Sequence, residues 1–208
     1  MMLSAYDFAK TVELQIEALT TEELLRHSGR GKLLLEEWYP IARLGLHLKQ
    51  PGLQIEVEAF GDSGVADGHI VERGFRDREF DVQVTYMYDY EEELRRELMV
   101  KKGCSPGTGL ISRDKKSGDV VATGAAVDID YNITQTAYAI AVLLSKKAAK
   151  LYPTDTALII AFSDMTLGGW VMWEKLLALV ASKVILNKGK FQSIFILNCA
   201  TNELIQVV

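Results

Sequence analysis

From Ala157 to Phe162 the chain carries no polar side chain. Successive side chains of a strand point to opposite faces, so a strand of this composition needs an apolar cover on both sides. A sheet with helices on each face provides that cover. Phe191 to Leu197 is a second run of the same kind. Between them, Trp170, Trp173, Leu176, Leu177 and Val180 recur at helical spacing and predict a helix over about 167–186,. Ahead of them, Asn132 with Gln135 starts a helix expected to run to about Leu151, with Ile133, Ala137, Ile140, Ala141 and Leu144 inward,. Lys146, Lys147 and Lys150 stand near its end, where cations suit the helix dipole,. With a short edge strand over 202–207, residues 131–208 read as a helix-strand-helix-strand unit.

Upstream the pattern changes to alternation. Leu53 to Phe60 places Ile55, Val57 and Ala59 on one side, and the glycine-containing turn 61–64 follows,. Ala66-Asp67-Gly68-His69-Ile70-Val71 opens a second strand. In the third, Phe80, Val82 and Val84 share one face while Asp81, Gln83 and Thr85 share the other,. Short connections make these three an antiparallel meander. Leu94 and Leu98 mark the buried side of a helix with Asp89 as its cap, and residues 103–130 read as a peripheral hairpin after a glycine-rich loop. The expected fold class is α/β with a mixed (α+β) sheet, in one domain spanning 1–208. The 49% apolar content suffices for one sizeable core,.

Residues 1–30 are expected to form two capped helices, Ser4 with Asp7 and Thr20 with Glu23 supplying the caps,. They either cover the sheet or contact a partner, a second copy of the chain included. A further helix over 32–49 puts Leu33, Leu34, Trp38, Ile41, Leu44 and Leu48 on one face with Glu37 in its middle,. An acid there is costly unless it is paired, protonated or bound to a cation. Alternatively, Pro40 interrupts the helix and leaves Glu37 solvated. Glu36 lies nearer the polar flank.

Asp67 at the start of one strand, and Asp81 two residues before Gln83 on the next, resemble the motif of the PD-(D/E)xK, or restriction-endonuclease-like, nuclease superfamily. The motif region is 31–102. The resemblance implies a nuclease core and metal-dependent hydrolysis of phosphodiester bonds in nucleic acid. It implies Mg²⁺ or Mn²⁺ held by Asp67, Asp81 and Glu37 with the Val82 carbonyl, and cleavage abolished by Asp81→Ala. Gln83 falls where the family has Lys and would orient water by hydrogen bonding alone. His69 is expected to contact substrate or carry a proton, or to be a structural side chain. Arg95, Arg96, Lys101 and Lys102 are the expected contacts to the nucleic-acid backbone. The departure at Gln83 also fits an inactive nuclease-like fold serving as a binding or assembly subunit. A third reading is a different α/β enzyme with its site near Ser163, Asp164 and Asn198.

The net charge of -5 gives no global attraction to nucleic acid, so a local basic surface would have to provide it,. Cys104 and Cys199 match no metal or redox spacing,. The N-terminal residues lack the order of a secretion signal, and no apolar run reaches the ~20 residues of a membrane helix. The expected location is cytoplasmic, without membrane association.

Overall fold

The computed structural model describes residues 1–61, 65–88, 90–107, 109–126, 128–164, 167, 169–187 and 189–207; of residues 170 and 182–187 only the backbone is described. The chain begins with a two-residue strand β1 (Leu3–Ser4) and the helices α1 (Ala5–Glu17), α2 (Thr21–Arg26) and α3 (Arg30–Leu33). Ser4 and Thr20 cap α1 and α2 through Oγ acceptors for the Asp7 and Glu23 N–H groups, at 3.1 and 3.2 Å. The helix expected over 32–49 is divided. A π-helical turn, Leu34–Trp38, separates α3 from α4 (Tyr39–His47). Pro40 therefore enters α4 near its start, where its missing N–H is tolerated.

The meander follows as β2 (Leu53–Ala59), β3 (Gly68–Gly74) and β4 (Arg78–Tyr86). Next come α5 (Tyr90–Lys102), the hairpin β5 (Ile111–Arg113) and β6 (Val120–Ala122), α6 (Ile129–Ala148) and β7 (Thr156–Phe162). The chain ends with α7 (Trp170–Asn187), β8 (Ser193–Asn198) and the edge strand β9 (Glu203–Gln206). The expected cap at Asp89 lies outside the described residues. Asp128 caps α6, so this helix starts before Asn132.

One seven-stranded sheet has the order β1-β2-β3-β4-β7-β8-β9. β1 to β4 pair antiparallel, β4-β7 and β7-β8 parallel, and β8-β9 antiparallel. β5 and β6 form a separate pair closed over Leu94 and Leu98 of α5. The fold is thus a mixed α/β arrangement with a large mixed sheet and helices.

Every residue of β7 is buried, as its composition demands. One side of the sheet packs Ile55, Val57, Ile70, Phe80, Val82, Val84 and Ile159 against α1 and α4. On the other, Leu158, Ile160, Ile194 and Ile196 meet Ile133, Ile140, Leu144, Trp173 and Leu176 of α6 and α7. Each such fully buried side chain supplies roughly 1.5–3 kcal/mol of transfer free energy. The second side differs between its halves. Over the meander it carries Gln54, Glu56, Arg73 and Glu79, all exposed.

One carboxylate lies within the first core. Glu72 is fully buried and meets Arg78 at 2.8 Å and Arg76 at 2.6 Å, two cations that lead out to solvent. No helix among the described residues is long and apolar enough to cross a membrane.

Candidate active site

β3 begins at Gly68, paired with Val82, so β4 runs on beyond the start of its neighbour. The Asp67 N–H closes the ladder on the Val82 carbonyl at 2.9 Å. That carbonyl, the expected ligand, therefore already accepts one bond of the sheet. Past it, the N–H and C=O of Val84 have no strand on that side to pair with, and buried backbone groups need partners. Side chains provide them. Asp67 Oδ2 accepts the Val84 N–H at 2.6 Å, and Lys147 Nζ donates to the Val84 carbonyl at 3.3 Å. Gln83, 8% exposed, donates its amide to the same Asp67 oxygen. No hydrogen bond to the other, Oδ1, is found among the described residues.

Two charges of opposite sign are therefore held together in a half-buried place. Burial raises the Asp67 carboxyl above its ordinary pKa, opposed by the Val84 N–H, the Lys147 ammonium and the Gln83 amide,. Burial lowers Lys147, and the Asp67 carboxylate opposes this effect. Glu37 also acts on Lys147 as an anion. It is half-buried on the π-helical turn and faces this cluster electrostatically, whereas its neighbour Glu36 turns to His27, 3.0 Å away.

Asp81 is in a different pair. It stands directly opposite His69, Nδ1 to Oδ1 2.9 Å, both partly exposed. This pair lies on the same face as Asp67 and Gln83, two residues along β4 or about 7 Å of strand rise. Across β2, Glu58 is opposite His69 and receives the Met1 ammonium. Glu56 lies further along the same face and is exposed.

The expected backbone contacts on α5 are mostly engaged within the protein. Arg95 ties down the glycine-rich loop through the carbonyls of Pro106 and Gly109, at 2.9 and 2.8 Å, and pairs with Glu91. Arg96 pairs with Glu92 and also bonds Tyr86, while Lys101 pairs with Glu97, which Arg113 shares. Lys102 is exposed at the helix end. At the ends of β7 and β8, the fully buried Asn198 accepts from the Asp164 and Ala200 N–H groups and donates to the Asp164 carbonyl. Its oxygen and one amide N–H thus join the two strand ends.

Lys147 is the site residue that sequence reasoning missed, because the helix dipole already explained a cation there. Its signal lay in the spacing. Ile133, Ala137, Ile140 and Leu144 form the buried stripe of α6, and the next position in the same rhythm of three and four is Lys147,.

The Asp67 carboxylate is a hard donor of the kind Mg²⁺ prefers, whereas the Val84 carbonyl already accepts from Lys147 and, at 3.4 Å, from the Gln83 amide. Among the described residues no group of three or more His, Cys, Asp or Glu is arranged to hold a metal ion. Compared with protein-family models, curated proteins and solved structures, the chain matches none.

Proposed function

We propose that this chain hydrolyses phosphodiester bonds of nucleic acid with a divalent metal, using a PD-(D/E)xK-like site on a restriction-endonuclease-like core. The observation that carries the reading is the meeting of Asp67 and Lys147 on the two free backbone groups of Val84. The helix-meander-helix-strand order around that point supports it. Because Asp67 faces Gln83, the motif is read two residues later than the spacing suggested. Gln83 takes the place of the acid, Thr85 that of the lysine, and Lys147 brings the cation from α6.

Asp67 and Glu37 would hold Mg²⁺ or Mn²⁺, beside the Val84 carbonyl that accepts from Lys147 and Gln83. The bound ion supplies a lowered water pKa and offsets charge building on the phosphate. Lys147 adds a fixed positive charge at the reacting group, and a half-buried charge acts more strongly than one in bulk water. Gln83 fixes the Asp67 carboxylate. Asp81, held by His69, serves as an outer carboxylate beside the cluster.

A second reading, an inactive nuclease-like fold acting as a binding or assembly subunit, is favoured by the amide at Gln83 where a second acid would strengthen metal binding. Cleavage of single- and double-stranded DNA and RNA with Mg²⁺ or Mn²⁺ separates the two. Activity that disappears with EDTA and in Asp67→Ala supports the nuclease. Absence of cleavage on all four substrates supports the binding subunit.

A further inference from the structure

On α5, the cations that serve the fold are matched within their own helix. Arg95, Arg96 and Lys101 each meet a carboxylate four residues earlier: Glu91, Glu92 and Glu97. The end of α6 is built otherwise. Lys146, Lys147 and Lys150 fall within five residues, and four positions before them stand Val142, Leu143 and Lys146. Lys146 and Lys150 are exposed and form no ion pair among the described residues. At a separation of four they repel each other. The dipole accounts for a cation in the last turn, yet Lys147 already occupies that turn and reaches inward,.

A further lysine comes from elsewhere in the chain. Gly189, on the turn before β8, lies so close to α6 that a Cβ added to it would come within 2.9 Å of the Ala148 Cβ. The exposed Lys190 beside it therefore stands at the same helix end. This basic edge is continuous with the site through Lys147. Beyond Asp81, by contrast, the open face of the meander bears the exposed acids Glu56 and Glu79 with one exposed cation, Arg73, 3.9 Å from Glu79. A polyanion therefore meets net positive charge on the α6 side and no net positive charge on the other.

We propose that Lys146, Lys150 and Lys190 form the surface that grips the phosphodiester backbone of the nucleic-acid strand cleaved at Asp67. This rests on the nuclease reading and names its substrate-holding surface. The strand enters along the end of α6, and not along α5.

The test is binding of fluorescent DNA and RNA oligonucleotides, single- and double-stranded, in EDTA over a range of salt. The protein is compared with a Lys146→Gln/Lys150→Gln/Lys190→Gln variant and with a Lys10→Gln/Lys49→Gln control, two lysines exposed elsewhere. The triple variant is expected to bind about tenfold more weakly or worse at low salt. Its log–log salt dependence should be shallower by about 0.7–0.9 for each lysine that meets a phosphate. The control should match the unaltered protein, and circular dichroism should show the triple variant folded. Unaltered binding by the triple variant, with Asp67-dependent cleavage intact, overturns this surface and leaves the nuclease reading standing. An unaltered protein that neither binds nor cleaves any of the four substrates overturns both. Lysine-dependent adsorption to anionic vesicles without binding of nucleic acid overturns the choice of partner.

Discussion

Lys147 donates to the carbonyl of Val84 at 3.3 Å, and Asp67 accepts the N–H of the same residue at 2.6 Å. A gap in a β-ladder is thereby closed by one cation and one anion. The arrangement predicts both what the pair does and what it costs.

Asp67→Asn should remove metal-dependent cleavage and raise stability at neutral pH. The folded state holds this carboxyl above its ordinary pKa. It therefore retains the proton longer than the unfolded chain does, and stability falls as pH rises from the ordinary aspartate value through the raised one. The Asn variant lacks that fall. Thermal unfolding between about pH 4 and pH 7 should show the two proteins diverging as pH rises, with the variant having the higher Tm near neutrality. Equal slopes would contradict the burial argument.

Lys147→Met should lower turnover by about 10²-fold, the usual loss when one charge-stabilising group leaves a site. The methionine fills similar space at the edge of the second core, so the far-UV spectrum should be unchanged. Turnover within a factor of two of the original protein would remove Lys147 from the chemistry.

Asp81→Ala separates the two ways of placing the motif on the strands. The spacing alone makes Asp81 an essential ligand, whereas the observed pairing gives Asp81 to His69 and sets Asp67 opposite Gln83. The expected loss is less than about tenfold, against complete loss in Asp67→Ala, since Asp81 lies outside the cluster that acts on the reacting group. A rate measured at saturating Mg²⁺ decides it.

Arg76→Ala/Arg78→Ala should destabilise the protein by about 3–5 kcal/mol, because it leaves the buried Glu72 carboxylate without a partner,. Glu72→Gln should cost less, since both arginines reach solvent. Denaturant midpoints at unchanged slope measure the difference. A larger loss for Glu72→Gln would mean that the arginines, and not the carboxylate, are the strained members.

How much of this could be read from the residues depended on what each side chain faces. β2 and β4 were legible because one side is apolar and the other polar, and β7 and β8 because neither side is polar. β1 was not, since two residues carry no periodicity and their place is set by pairing with Val57 and Glu56. The start of α6 was misplaced by a competing local signal. Asn132 and Gln135 look like a cap, yet Asp128 provides it by accepting the Asp130 N–H.

The site was legible where strand alternation governs it and hidden where the sheet's register does. Asp67 and Gln83 were both candidates, but which residue faces which depends on where β3 starts, and composition does not fix that point. Glu37 was visible as an acid on an apolar stripe. Its divergence from Glu36 was visible too, since adjacent helical residues stand about 100° apart, but the partner of Glu36, His27, was not.

That turn closes with the Tyr39 N–H on the Leu34 carbonyl, one residue wider than a regular helical turn,. Its wider spacing eases the ring of Pro40, which would crowd the carbonyl of Glu36 in an unbroken helix. Deleting a single residue here would do more than shorten a helix. It would let the wide turn close as a regular α-helical one, changing the phase of the residues within it,. Glu36 and Glu37 lie inside that turn, so the directions in which they point to His27 and toward Lys147 would change with no site residue substituted. The length of this segment, as much as its letters, is therefore part of what specifies the site.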